Sequence, residues 1–144
     1  MRELQTEIEI AAPAERVWQL LTDFQGYPQW NPFILSIAGV AEPGTRLAVN
    51  MQPPGGKAMT FRPVVLQATA PRELRWMGRL LVPGLFDGEH AFRIERVDGQ
   101  RVRFVQHERF SGLLVPALWR RVGTNTERGF NAMNAALKRV AEQR

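Results

Sequence analysis

Phe92-Arg93-Ile94-Glu95-Arg96-Val97-Asp98-Gly99-Gln100-Arg101-Val102-Arg103-Phe104-Val105-Gln106 alternates apolar with polar residues on both sides of a turn signal. A period of two marks half-buried strands, and Asp-Gly between two such runs marks a hairpin. A three-residue loop at Asp98-Gly99-Gln100 pairs Arg96 with Val102, Ile94 with Phe104, Phe92 with Gln106 and His90 with Glu108. In that register the apolar faces of the two strands coincide, whereas a slip by one residue would turn one of them to water. A two-residue Asp-Gly turn is the alternative.

Working outward, the same alternation predicts strands over Ile34 to Val40, Arg46 to Gln52, Met59 to Ala68, Glu73 to Leu81, Phe86 to Val97 and Arg101 to Ser111. Glu42-Pro43-Gly44, Pro53-Pro54-Gly55-Gly56, Ala70-Pro71 and Pro83-Gly84 separate them. Connections this short favour antiparallel neighbours. Upstream, Thr6-Glu7-Ile8-Glu9-Ile10 is a further strand. Pro13 then opens a helix of about ten residues that places Val17, Leu20, Leu21 and Phe24 at helical spacing. The Gly26, Pro28 and Pro32 breaks that follow leave room for at most a short second helix and a loop. After Pro116 the period is helical almost to the end, through Leu118, Val122, Thr126, Phe130, Met133, Leu137 and Val140.

A sheet of about seven strands with one substantial helix must curl around that helix to bury its inner face, an α+β architecture. Gly78 and Gly88 fall inside strand patterns, where bulges or close backbone approach are the usual reasons. The 144 residues suit a single domain, 1–144, and 44% hydrophobic with 23% charged residues is near the soluble average. No apolar run reaches the ~20 residues of a membrane span, so stable membrane insertion is not expected. The chain opens on strand-like residues without a signal-peptide pattern, which makes the cytoplasm the expected location. Without cysteine there is no disulfide framework, thiolate nucleophile or Cys-based zinc site. The two histidines, His90 and His107, do not form a metal-binding helical pair, and neither metal nor other cofactor is expected. The net charge of +5 is spread over arginines from Arg2 to Arg109 that alternate with apolar residues like a solvated outer face, Arg79 among them. No nucleic-acid-binding motif accompanies it.

Several segments together resemble the helix-grip superfamily of START lipid-transfer domains, plant pathogenesis-related allergens and bacterial polyketide cyclases (SRPBCC). They are Ile10-Ala11-Ala12-Pro13-Ala14-Glu15-Arg16-Val17-Trp18, Tyr27-Pro28-Gln29-Trp30-Asn31-Pro32-Phe33, Leu74-Arg75-Trp76, Gly88-Glu89-His90-Ala91-Phe92 and Glu108-Arg109-Phe110-Ser111-Gly112. The likeness is closest to the small polyketide cyclase/dehydrase-like branch and covers nearly the whole chain. It implies a curved antiparallel sheet around a long C-terminal helix and a cavity for a hydrophobic or amphipathic small molecule. The superfamily contains carriers, cyclases, aromatases and sensors, and fold does not fix chemistry. In this branch Trp30-Asn31-Pro32-Phe33 is a signature whose role is structural or functional.

The hairpin register sets His90 beside Glu108 on the concave face. A buried carboxylate needs a partner, and His90 is the best one the pattern offers. Such a pair can act as general acid and base, can anchor a ligand's carbonyl or hydroxyl, or can simply close the rim of the sheet. Met51, Met59, Phe61, Trp76 and Leu80 are expected to form the apolar wall. Phe92, Phe104 and Gln106 share the inward face, Thr126 and Phe130 lie on the helix stripe, and all five are expected to touch the ligand with that wall. The apolar residues of Leu81 to Phe86 and Phe110 to Trp119 suggest either a lid or a seal at the end of the core. Three functions are compatible with these features. They are a binder or carrier of a lipid, polyketide or aromatic metabolite, a cyclase, dehydratase or aromatase using His90 and Glu108, and a protein-interaction module with a vestigial cavity. Nothing in the pattern fixes the oligomeric state.

Overall fold

The computed structural model describes residues 1–80 and 82–143, with the backbone alone at Leu80. Among the described residues, eight strands and three α-helices follow one another in the order the patterns require. They are β1 (Arg2–Ile10), α1 (Ala14–Thr22), α2 (Tyr27–Trp30), β2 (Ile34–Ala38), β3 (Ala48–Met51), β4 (Met59–Phe61), β5 (Val64–Thr69), β6 (Glu73–Leu80), β7 (Phe86–Asp98), β8 (Arg101–Ser111) and α3 (Val115–Glu142), with a single 3₁₀ turn at Phe24–Gly26. The strands form a five-stranded sheet ordered β1-β8-β7-β6-β5 and a three-stranded sheet ordered β2-β3-β4, with every pairing antiparallel.

The segment expected as one strand from Met59 to Ala68 is two. Proline has no N–H to give to a ladder, and the break falls at Arg62-Pro63. There the chain passes from one sheet to the other. Leu47 N donates to Pro63 O at 2.8 Å, and Val65 N donates to Thr45 O at 2.9 Å, which ties the two sheets together.

In the β7–β8 hairpin Ile94 faces Phe104, Phe92 faces Gln106 and His90 faces Glu108, as the alternation requires. An irregularity between Arg96 and Asp98 lets Asp98 pair with Arg101, so the turn itself is shorter than three residues. Asp98 Oδ1 accepts the Gln100 N–H at 2.8 Å and fixes that turn. The outward side chains form a lattice of ion pairs, among them Arg101 with Glu9 at 3.1 Å and Arg103 with Glu95 at 3.6 Å. Exposed pairs of this kind are worth little individually, about 0–1 kcal/mol, and their consequence is a solvated convex face.

Helix α3 lays Phe130, Met133, Leu137 and Ala141 against Ile10, Val17, Leu21, Phe33, Phe92 and Phe104 in one buried cluster. Gly129 makes the closest approach possible, since a Cβ there would run into the Phe33 ring. Phe33 is aimed by its own loop. Asn31 Oδ1 accepts the N–H groups of Phe33 at 3.0 Å and Ile34 at 2.9 Å, an Asx turn that swings the chain into β2. The far end of α3 is held by Arg16, whose guanidinium donates to the carbonyls of Val140 at 3.2 Å and Ala141 at 3.3 Å. A cation at a helix C-terminus satisfies free carbonyls and complements the dipole. Among the described residues no helix is long and apolar enough to cross a membrane.

Candidate functional site

Between the first half of α3, the β3–β4 loop and one end of the large sheet lies a cavity of about 280 Å³. Its apolar wall comes from Phe33, Met51, Met59, Phe61, Phe86, Phe110, Leu118 and Val122, and Lys57, Arg79, Glu108, Arg121, Asn125 and Thr126 supply polar atoms. The reason for the hollow is a lack of side chains on the sheet. Gly78 on β6 pairs with Gly88 on β7, and both line the cavity. A Cβ at Gly78 would come within 3.1 Å of the Phe61 ring, and a Cβ at Gly88 would collide with the Glu108 carboxyl. The two glycines therefore form the floor and leave Glu108 its place.

Glu108 reaches this floor from β8, and its side chain remains 17% exposed through the cavity. Behind it, His90 Nδ1 lies 3.5 Å from Glu108 Oε1. On the other side of the ring, His90 Nε2 is 3.0 Å from Gln106 Oε1. Gln106 Nε2 donates to Phe130 O at 3.3 Å and to Asn134 Oδ1 at 2.8 Å, and Asn134 Nδ2 donates to Thr6 Oγ1 at 3.0 Å. This chain of bonds determines the proton positions. The Phe130 carbonyl can only accept, so Gln106 presents its amide nitrogen to α3 and its oxygen to His90. His90 must then carry its hydrogen on Nε2, and a neutral ring turns the Nδ1 lone pair toward Glu108.

Burial pushes the Glu108 carboxyl up to about 8. Burial also pushes the His90 imidazole down to about 3, with the Gln106 bond opposing that shift and His107 adding to it. Both directions favour a neutral pair over an ion pair. A protonated Glu108 can donate to the Nδ1 lone pair, leaving its second oxygen to the cavity. The site thus offers one carboxylic acid, held uncharged at neutral pH, at the inner end of an apolar hollow.

Of the residues expected to touch a ligand, Met51, Met59, Phe61, Thr126 and Glu108 line the cavity. Trp76, Phe92, Phe104, Gln106 and Phe130 are buried outside its lining. His90 is also buried there, reaching the cavity only through Glu108. Packed aromatic rings fill the interior at that point: between ring centroids His90 is stacked 4.0 Å from Phe92 and lies tilted 4.7 Å from Phe130, and Trp76 meets Phe92 edge-on at 5.0 Å. The Leu80 side chain and Leu81 lie outside the described residues. Arg79, expected on the solvated outer face, lines the cavity.

Phe33, Phe86, Phe110, Val122 and Asn125 also line the cavity, although the sequence pattern assigns none of them a ligand contact. The signal for them was the pair of inward glycines, which marks where the floor lacks side chains. The segments expected as a lid or seal are bonded to each other, Leu113 N to Gly84 O at 3.0 Å and Leu114 N to Leu85 O at 2.9 Å. Phe86, Phe110 and Val115 close a small cluster beneath them, while Leu113 at 81% and Val82 at 55% face outward. Among the described residues no group of three or more His, Asp or Glu side chains is placed to hold a metal ion.

Comparison with known proteins agrees with this geometry. Residues 1–142 match the family model described as polyketide cyclase / dehydrase and lipid transport. None of the curated proteins matches the sequence. Among solved structures, the Zhui aromatase/cyclase from Streptomyces sp. R1128 superposes with a TM-score of 0.81 at 20% identity, covering 98% of this chain and 93% of that one. A hypothetical protein from Helicobacter pylori gives 0.80 at 20% identity, over 98% and 88%. A START superfamily protein from Mycobacterium smegmatis gives 0.72 at 20% identity, over 96% and 98%. At such identities the likeness establishes the helix-grip fold and no shared chemistry.

Proposed function

The chain belongs to the polyketide cyclase / dehydrase and lipid transport family, and from that premise we propose that it binds a largely apolar small molecule in the cavity between α3 and the sheet. The observation that carries this reading is the hollow over Gly78 and Gly88, walled by aromatic and aliphatic side chains with one uncharged acid at its inner end. Sites for small molecules are concave and mostly apolar, with a few convergent polar groups that fix orientation. Glu108 supplies such a group: with its proton on the oxygen that faces His90, its second oxygen can accept from a ligand hydroxyl without bringing a charge into the hollow. Native mass spectrometry of the purified protein tests the proposal. The expected spectrum shows an adduct of constant mass that disappears on organic extraction. A bare chain that also fails to bind any of a panel of lipids, polyphenols and aromatic ketones would overturn it.

A second reading, proton transfer of the cyclase, dehydratase or aromatase type, draws support from one specific feature. Glu108 faces the cavity with the Nδ1 lone pair of His90 behind it. A carboxylic acid kept neutral near pH 7 is suited to act as a general acid. In that role Glu108→Gln abolishes turnover while an inert analogue binds with nearly unchanged affinity.

A further inference from the structure

Resting on the ligand-binding reading above, we propose that the ligand carries a single anionic group, a carboxylate or an acidic ester, which stays at the cavity rim between Lys57 and Arg121. Three cations line the cavity, Lys57, Arg79 and Arg121, against one carboxyl, Glu108. Glu108 lies at the buried end and does not neutralise them. Arg79 is shared with Asp87, whose Oδ2 lies 3.8 Å away. Among the described residues neither Lys57 nor Arg121 has a carboxylate within ion-pair distance.

The cavity also has a direction. Along α3 the lining runs from buried Thr126 through half-buried Val122 to Leu118, which is 43% exposed. Arg121 stands about 1.4 turns from Thr126, about 7.5 Å of helix rise. A molecule lying along this path meets uncharged groups first, then apolar wall, then unpaired positive charge where water begins. Positive charge at the mouth of a low-dielectric cleft attracts anions of matching shape. A neutral ligand would leave that charge unused, and a cationic one would be repelled by it. The matching class is an apolar body the size of two or three fused or linked rings, or a chain of similar length, ending in one negative charge.

Two probes that differ only in that charge provide the test: 1-anilinonaphthalene-8-sulfonate and its neutral counterpart N-phenyl-1-naphthylamine. At low salt the sulfonate is expected to bind about five- to tenfold more tightly, a factor that two or three partly exposed ion pairs can supply. The neutral amine should displace it competitively. The preference should shrink as ionic strength rises. In Lys57→Gln/Arg121→Gln it should fall toward unity while the affinity of the amine stays within twofold. Arg128→Gln, an exposed change on α3 away from the cavity, should leave the ratio as it was. A sulfonate that binds no better than the amine, that the amine cannot displace, or that keeps its preference in the double variant would overturn the assignment of the rim, with the cavity reading intact. Saturable binding of neither probe would remove both.

Discussion

Replacing Glu108 by Gln removes one proton-binding group while almost preserving volume, and it isolates the electrostatic state of the site. The Glu108 carboxyl titrates near 4.5 in an unfolded chain and near 8 in the folded protein because burial penalises its ionised form. Between these values the folded state keeps a proton that the unfolded chain has released, so stability falls as pH rises. The contribution is fully present below about 4.5 and fully lost above about 8. One such proton corresponds to about 1.4 kcal/mol per pH unit in the middle of the window. From pH 6 to pH 8, allowing for titration of the folded group at the upper end, the loss is about 2 kcal/mol. His90 moves the opposite way: its lowered value makes stability rise with pH between about 3 and 6.5. That contribution is common to both proteins and cancels in the comparison. Gln at position 108 can still donate to His90 Nδ1, so the ring stays neutral. Urea unfolding at pH 6, 7 and 8 gives the stability of each protein at constant m. The difference, wild type minus variant, should drop by about 2 kcal/mol across the series. A difference that stays constant would mean that Glu108 ionises in the folded state as it does in water, and the neutral pair with His90 would be refuted.

Two further perturbations test what holds the site in place. Gln106→Leu leaves the His90 Nε2–H and Asn134 Oδ1 without a partner in a buried setting, and should lower stability by about 2–4 kcal/mol in thermal or chemical unfolding. A loss under 1 kcal/mol would indicate that water replaces the amide. Gly129→Ala puts a methyl group into the Phe33 ring and should cost about 1–3 kcal/mol as an overpacked core, with the circular dichroism spectrum retained. An unchanged midpoint would mean that α3 and the Phe33 loop are not in contact there.

The hairpin that carries Glu108 was legible because two signals agreed, alternation on both strands and a turn sequence at a fixed place between them. The opposing example is Met59 to Ala68. The apolar run Val64-Val65-Leu66 follows Arg62-Pro63 directly, so strand-like composition runs through a break that the missing proline donor imposes. The sequence pattern reached part of the cavity lining: Met51, Met59, Phe61, Glu108 and Thr126 border the hollow, whereas Trp76, His90, Phe92, Phe104, Gln106 and Phe130 are buried outside it. Alternation separated most inward-facing residues from outward ones, Arg79 being an exception, but an inward residue either fills space or borders it, and alternation cannot tell which. Trp76, Phe92, Phe104 and Phe130 fill it: Phe92 meets Trp76 and Phe104, and the His90 ring lies between Phe92 and Phe130 on α3. The hollow lies where Gly78 and Gly88 coincide, and that depends on the register of β6 against β7, which no turn signal pinned from sequence. Gln106 shows a different limit. Its inward direction followed from the period, but its partners Phe130 and Asn134 lie 24 and 28 residues away, and Thr6, bonded to Asn134, is 128 residues from that asparagine. Only the packed helix brings them together.

The claim on which the others depend is that the space above Gly78 and Gly88 is the ligand site. Val122 lines it from α3 and is half-buried, so Val122→Phe projects a ring into the hollow without adding charge or breaking the helix. Fluorescence titration of N-phenyl-1-naphthylamine into the two proteins is the most direct measurement. The native chain should show one saturable site, and the variant should bind at least about tenfold more weakly, about 1.4 kcal/mol, with its unfolding midpoint unchanged. A folded Val122→Phe protein that binds the probe as tightly as the native chain would contradict the claim and put the ligand elsewhere on the molecule.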